Sequence, residues 1–326
     1  MSAEFPEKGG WIWKNGEFIP WMDARIHVMS HAVHYGSSVF EGIRCYRTSK
    51  GPAVLRLQDH LQRFTDSAKI YRMDLGYSID ELAAVSLELV RKNGFDECYL
   101  RPLAIRGYGA AGLNPSMSPV DTYLICWPWG AYLGADALKK GVDVCVSSWQ
   151  RPAPNTYPTL AKAGGHYVNA QLMKMEAVAN GYAEAIALNT EGKVSEGSGQ
   201  NLFLVRKGTL ITPPVDGAML PGITRDCIVT LARDLEIVTR LENVPREALY
   251  IADELFFTGT AAEVSPIRSV DRIPVGEGEP GPVARRLQKE LLDLAHGERP
   301  DSYGWLTPVA PTESGAWAAQ EANVTG

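Results

Sequence analysis

The sequence predicts an α+β protein built as two domains. Three observations carry this. Helix-period and strand-period segments are mixed in both halves of the chain, without the regular strand–helix–strand spacing of a parallel array. The 326 residues exceed what one small core needs. The run WPWGAYLG at 127–134 breaks the pattern near residue 130, and Pro and Gly punctuate chains where domains join. Expected bounds are 1–128 for a smaller N-terminal domain, 129–139 for the connection, 140–309 for a larger C-terminal domain and 310–326 for a flexible tail.

Asn15-Gly16 between WIW and FI is a two-residue turn signal and predicts a hairpin. A helix follows over 57–70. The next starts at a capping box, Ser78 with Glu81, presents Leu82, Val85, Leu89 and Val90, and stops at Asn93-Gly94. Residues 99–105, 122–127 and 142–147 read as strands and 166–180 as a helix. Strands at 183–188 and 200–205 flank a turn at 189–193. Helices are expected over 223–235 and 281–296. Residues 307–326 show little periodicity and read as loosely held.

Several function classes are disfavoured. With 32 Lys and Arg against 38 Asp and Glu, the net charge of −6 lacks the basic footprint of a nucleic-acid binder. No apolar run approaches the roughly 20 residues of a membrane span. The opening MSAEFPEKGG has neither the basic nor the apolar segment of a secretory leader. Five scattered cysteines suit buried free thiols in a reducing cytosol. His27, His31 and His34 have a spacing that could suit a metal, but no adjacent Glu completes the zinc-protease pattern, so no metal is expected. GEGEPG at 276–281 matches a dinucleotide fingerprint. Its two acidic residues and proline would meet the pyrophosphate, so it reads as a surface loop.

Three segments carry chemistry together. In PTLAKAGGHY at 158–167, Lys162 sits among small and apolar residues, surroundings that disfavour the ammonium and suit a Schiff-base lysine. In VSEGSGQNLF at 194–203, Glu196 opens a Gly-rich bend where a carboxylate could hold a nearby cation. In MLPGITRD at 219–226, a Pro-Gly turn runs into a helix whose free N–H groups suit a phosphate. Each alone has an ordinary reading as a solvated loop, turn or helix cap. A lysine, a carboxylate and a phosphate-binding helix start are together the parts that hold pyridoxal 5′-phosphate.

With these segments the chain resembles the branched-chain aminotransferases of pyridoxal-phosphate fold type IV, particularly the bacterial kind. The resemblance runs from about residue 11 to 305. It rests on HVMSHAVHYGSSVFEGIRCY, YLRPL, WPWGAYLG, AKAGGHY, SEGSGQNLF, LPGITRD and TGTAAEVSPIRSVD. It implies a small N-terminal α/β domain, a larger C-terminal domain and transamination of leucine, isoleucine or valine with 2-oxoglutarate, giving branched 2-oxo acids and L-glutamate. Lys162 corresponds to the lysine that bonds the cofactor and moves the proton. Glu196 corresponds to the partner of the ring nitrogen, Tyr167 to that of the ring hydroxyl oxygen, and Leu220 packs on the ring face. Arg63, the N–H groups of Ile223 and Thr224, and Thr260 correspond to the phosphate site. The resemblance further implies a substrate wall of Tyr35, Phe40, Trp129, Tyr132 and Tyr167, with Leu113 from a neighbouring subunit. Tyr99 with the N–H groups of Ala261 and Ala262 would take the α-carboxylate, and Arg101 the glutamate side chain. A homodimer, or a hexamer of such dimers, is implied as the assembly, in the cytoplasm.

Two departures stand out. Gln200 occupies a position where many bacterial members carry Glu, and the residues beyond about 309 pass the usual family end. Relatives that share the fold, such as D-amino-acid aminotransferases, (R)-selective amine aminotransferases and aminodeoxychorismate lyases, would keep Lys162 and Glu196; FEGIRCY and YLRPL favour the branched-chain group. A cofactor-free Schiff-base aldolase or binding module and a nicotinamide enzyme are the rivals from other classes.

Overall fold

The computed structural model describes residues 10–130, 133–215 and 218–309. The chain opens with the expected hairpin, β1 (Trp11–Lys14) and β2 (Glu17–Pro20). Asn15 at φ 46° and Gly16 at φ 100° both take the left-handed backbone that such a turn demands. Then follow α1 (His31–Tyr35), β3 (Ser38–Phe40), β4 (Ile43–Thr48), β5 (Gly51–Leu55), α2 (Leu57–Ile70), α3 (Ile79–Asn93), β6 (Cys98–Arg106) and β7 (Val120–Trp127). After α4 (Ala135–Lys140) come β8 (Val142–Val146), α5 (Tyr167–Ala179), β9 (Glu184–Leu188), β10 (Val194–Gly197), β11 (Asn201–Arg206) and β12 (Thr209–Thr212). The chain closes with α6 (Ile223–Asp234), β13 (Thr239–Leu241), β14 (Glu254–Gly259), β15 (Glu263–Val270), β16 (Ile273–Pro274), α7 (Pro282–Ala295) and β17 (Leu306–Pro308).

Among the described residues these strands form two sheets. The first runs β17-β5-β4-β6-β7-β1-β2, with β3 also on β6, and is antiparallel throughout. The second runs β10-β9-β8-β15-β14-β11-β12-β13, with β16 on β15, and mixes antiparallel pairs with three parallel ones. This is the expected α+β mixture.

Helix α2 buries Leu57, Leu61, Phe64 and Ala68, an i, i+4, i+7 stripe, against the first sheet and the Leu82, Leu89 and Val90 face of α3. The capping box at Ser78 is fully formed: its hydroxyl accepts from the Glu81 N–H and its own N–H donates to the Glu81 carboxylate. Gly94 ends α3 in the left-handed conformation. Helices α6 and α7 pack together against the second sheet, around Phe203 and Phe256, whose rings stack at 5.2 Å.

Two expectations need correction. Residues 307–309 are not loosely held: β17 pairs with β5 through Leu306–Leu55, Thr307–Val54 and Pro308–Ala53, and Val309 is buried. Three residues show too little periodicity to betray a ladder whose partner lies some 250 positions away. The tail expected over 310–326 lies outside the described residues. Ser195 and Glu196, expected in a bend, belong to β10, all four residues of which are buried. The surface-loop reading of 276–281 agrees with the structure. The helix start beyond it is already capped, because the Glu254 carboxylate accepts from the N–H groups of Val283 and Ala284.

Replacing Ser78 with Ala removes one half of the capping box. It should lower unfolding stability by about 1 kcal/mol, read from denaturant midpoints at fixed protein concentration.

Candidate active site

Lys162 lies where the two halves of the chain meet. Its N–H donates to the Ser67 hydroxyl of α2 at 3.0 Å, and its carbonyl accepts from the Phe40 N–H of β3 at 3.0 Å. Val39 and Ala163 form a bridge immediately beside it. The side chain is thereby aimed into a cavity of about 190 Å3. There Nζ donates to the Tyr167 hydroxyl oxygen at 2.6 Å and lies 4.9 Å from the Phe40 ring centre.

One end of the cavity is built for an anion. Arg63 of α2 faces it, held in a two-point contact by Glu41, with Nε–Oε1 at 2.6 Å and Nη2–Oε2 at 2.9 Å, while Nη1 donates to the Pro221 carbonyl. Glu41 is fully buried, which alone would raise its pKa, but Arg63 and His60 together hold it well below the ordinary carboxylate range. Burial in turn lowers His60, against the pull of Glu41. Beside Arg63, Gly222 leads into α6, whose first N–H groups at Ile223 and Thr224 have no helical acceptor. Gly222 has no room for a side chain, since an added Cβ would stand 1.9 Å from the Asn201 amide oxygen.

The same cavity is lined by Glu196. Its carboxylate meets Arg151 Nη2 at 2.8 Å, the Asn201 amide at 3.3 Å and the Leu220 N–H at 3.3 Å. Burial pushes this carboxyl upward, opposed by Arg151, the Leu220 N–H and Lys162. A cation placed against it would restore the charged form. His166, next to Tyr167, shares a hydrogen bond of 2.8 Å with the Tyr71 hydroxyl; burial and Arg151 bring its pKa down to about 4.

Another wall of the cavity is aromatic. Tyr99 and Arg101, two residues apart on β6, share one face. The Arg101 guanidinium is enclosed by Phe40, Tyr99 and Trp127 at 4.7, 5.3 and 5.5 Å. Trp129 stacks on Tyr99 at 5.1 Å. Gly42 lets Tyr99 come close, because its Cβ would fall 1.8 Å from the phenol oxygen.

The cavity thus brings together Phe40, Arg63, Tyr99, Arg101, Trp129, Lys162, Tyr167, Glu196, Leu220, Ile223, Thr224, Thr260, Ala261 and Ala262, as expected from the sequence. Tyr35 does not line the cavity of its own chain: it lies on α1, 47% exposed, against the rings of His31 and His34. Leu113 is 82% exposed on the 107–118 loop, and His31 holds that loop to α1 by bonding the Gly112 carbonyl. Tyr132, expected in the substrate wall, lies outside the described residues. His27 packs on Tyr108 and both ring nitrogens of His31 are engaged, by Ser37 and Gly112.

Sequence reading missed Glu41, His60, Arg151, His166 and Asn201. His60 had a signal, a polar residue within the apolar stripe of α2; Glu41 stood in an apolar run before a glycine. Arg151, in WQRPAP, had none, since its partner is 45 residues away in a different element.

Chemically, the cavity can hold a flat molecule with an anionic end at Arg63 and α6 and a cationic edge at Glu196, with an amine at Lys162 between them. It keeps polar atoms in reserve for such a guest: Thr258 Oγ1 and the Nε atoms of Arg101 and Arg151 are buried without a partner among the described residues.

Comparison with known proteins gives a consistent result. The family model for amino-transferase class IV matches residues 38–270. The chain is 53% identical to the branched-chain-amino-acid aminotransferase of Salmonella typhimurium over 304 residues, covering 93% of this chain and 98% of that protein. It is 44% identical to the Pseudomonas aeruginosa protein of the same name, with the same coverage. Among solved structures it resembles the Escherichia coli branched-chain amino acid aminotransferase at a TM-score of 0.91 and 53% identity, over 93% of this chain and all of that one. The Thermobaculum terrenum branched-chain amino acid aminotransferase, solved in its PLP-form, is similar at a TM-score of 0.87 and 35% identity, over 94% of this chain and all of that one.

Glu41→Gln would leave Arg63 buried without its counter-charge and should cost about 3–5 kcal/mol of stability. Because the folded-state pKa of Glu41 is depressed, its contribution is complete above the unfolded value, about 4.5, and fades as the pH falls below it. The variant should therefore show a flatter acid limb than the parent when denaturant midpoints are followed from neutral to acidic pH.

Proposed function

The chain belongs to the amino-transferase class IV family, and from that premise we infer that it is a pyridoxal 5′-phosphate enzyme, a branched-chain-amino-acid aminotransferase working between leucine, isoleucine or valine and 2-oxoglutarate. The observation that carries the reading is Lys162, whose backbone is pinned on both sides while its amine faces Tyr167 between an anion cup and a buried carboxylate. The orphaned Thr258 hydroxyl and the free N–H groups at the start of α6 fit a phosphorylated ring at this place.

In our reading Arg63, Thr260 and the N–H groups of Ile223 and Thr224 hold the phosphate, with Glu41 keeping the Arg63 fork turned toward it. Glu196 faces the ring nitrogen, Tyr167 the ring hydroxyl oxygen, and Leu220 supports the ring face. When bound, the cofactor supplies an aldehyde carbon that amines join reversibly and a ring that withdraws electrons. Lys162 Nζ holds the cofactor and moves the proton at the substrate Cα, which requires a neutral amine within reach. The Phe40 and Tyr167 rings, 4.9 Å apart, flank that amine.

Substrate selection rests on the aromatic wall of Phe40, Tyr99 and Trp129. Such a wall separates aliphatic side chains by only about 1–3 kcal/mol per methylene, so leucine, isoleucine and valine overlap. Tyr99 and the N–H groups of Ala261 and Ala262 take the α-carboxylate, and Arg101 meets the second carboxylate of glutamate and 2-oxoglutarate. We assign Tyr35 and Leu113 to the site of a second copy in a homodimer, with a hexamer of such dimers as the larger assembly. Support comes from their exposure on neighbouring segments, in a surface that also shows Val28, Val33 and Met117. We place the protein in the cytosol. All five cysteines are buried and free, and no helix among the described residues is long and apolar enough to cross a membrane.

Leucine with 2-oxoglutarate should yield glutamate, and Lys162→Ala should abolish it together with the visible absorbance change on adding leucine. Turnover of D-alanine with no glutamate from leucine would reject the assignment. Arg101→Met should raise KM for 2-oxoglutarate by about 10- to 100-fold, the worth of a charged hydrogen-bonded pair, while leaving KM for leucine nearly unchanged. Steady-state kinetics with each substrate varied in turn would check the split.

A further inference from the structure

Glu196 is carried by a short segment with little regular pairing of its own. The β9–β10 ladder slips between Val194 and Gly197, the kind of irregularity that re-aims a side chain. What holds the segment is a second carboxylate, Glu184 of β9, which is completely buried. Glu184 Oε1 accepts from the Ser198 hydroxyl at 2.6 Å and from the Ala185 N–H at 2.9 Å. Its Oε2 accepts from the Gln200 amide at 3.0 Å and from Lys174 of α5 at 3.1 Å. The Gln200 amide oxygen then accepts from the Gly199 N–H at 3.1 Å, and the Gln200 carbonyl from the Gly197 N–H at 2.6 Å. The fit is close: a Cβ on Gly197 would stand 2.6 Å from the Gln200 amide oxygen and 2.8 Å from the Phe257 ring.

The Gln200 amide does here what a carboxylate cannot. It donates to one neighbour and accepts from another. A Glu at 200 would set two acceptor oxygens about 3 Å apart in a buried site, where like charges share one proton instead of both ionising. The ionisable groups that meet Glu184 are Lys174 of α5 and the Cys145 thiol of β8; Lys174 is the cation that directly bonds it.

We propose that Glu184 and Gln200 are positioning residues for Glu196: their clasp fixes the bend that presents the carboxylate, and the amide at 200 makes that bend insensitive to pH. The inference rests on the reading of Glu196 as the partner of the cofactor ring nitrogen.

The test measures the pyridoxal 5′-phosphate dissociation constant of the full-length protein, by visible absorbance after dilution, at about pH 5 and about pH 9, a span wide enough to cross the release of a proton shared by two buried carboxylates. Gln200→Glu should match the parent at the lower pH and bind about tenfold more weakly than the parent at the higher, the size of one pKa unit of differential proton binding. The exchanged pair, Glu184→Gln with Gln200→Glu, should return the ratio between the two pH values to that of the parent, a rescue that a merely space-filling role would not produce. A single variant that tracks the parent at both pH values overturns the proposal, and so does an exchanged pair no better than the single variant. The single variant's binding at the lower pH is its own control for folding. Parent protein that takes up no cofactor would overturn the functional reading, and this inference with it.

Discussion

The structure depends on one strap across its middle. Lys162 donates its N–H to Ser67 and accepts the N–H of Phe40 at its carbonyl, so both partners of this C-terminal-half residue come from the N-terminal half. Each bond is an ordinary one, worth roughly 1 kcal/mol net. Their consequence is geometric. An amine on a flexible four-carbon stem becomes useful when its origin is fixed, and the strap fixes it between the anion cup and Glu196. Phe40 serves twice, through its N–H at the Lys162 backbone and through its ring beside the Lys162 amine.

Around that strap, three of the buried carboxylates are each matched with their own partners. Glu41 is locked to Arg63 and His60, Glu196 to Arg151, Asn201 and Leu220, and Glu184 to Lys174, Ser198 and Gln200. Burying a carboxylate costs several kcal/mol in lost solvation, which contacts of this kind offset. The partners differ because the tasks differ. Glu41 shapes an arginine, Glu184 shapes a loop, and Glu196 retains exposure to a cavity where a further cation can sit.

Much of this was legible one segment at a time. The Asn15-Gly16 turn, the Ser78 capping box, the Gly94 stop and the helix beginning after Gly222 depend on residues within a few positions of each other, and local backbone preferences carry them. Lys162, Glu196 and the LPGITRD turn were readable because each chemical group stands in its own conspicuous local setting. Arg151, Glu41 and the 306–308 strand were not, since each acquires its meaning from a partner that the chain brings back from far away. Tyr35 lies outside the cavity of its own chain, a placement that no short stretch of sequence specifies.

The sequence by itself determined the α+β class, the principal helices and hairpin, and the chemical character of the candidate site groups, because short-range sterics, periodicity and side-chain chemistry act within a few residues. Only the tertiary structure decided which groups face each other: that Arg63 is set by Glu41, that Glu196 leans on Arg151, and that the residue at 200 answers to Glu184. Those pairings are products of sheet order and helix packing. Their energies depend on burial and on distances of about 3 Å, which no local stretch of sequence specifies.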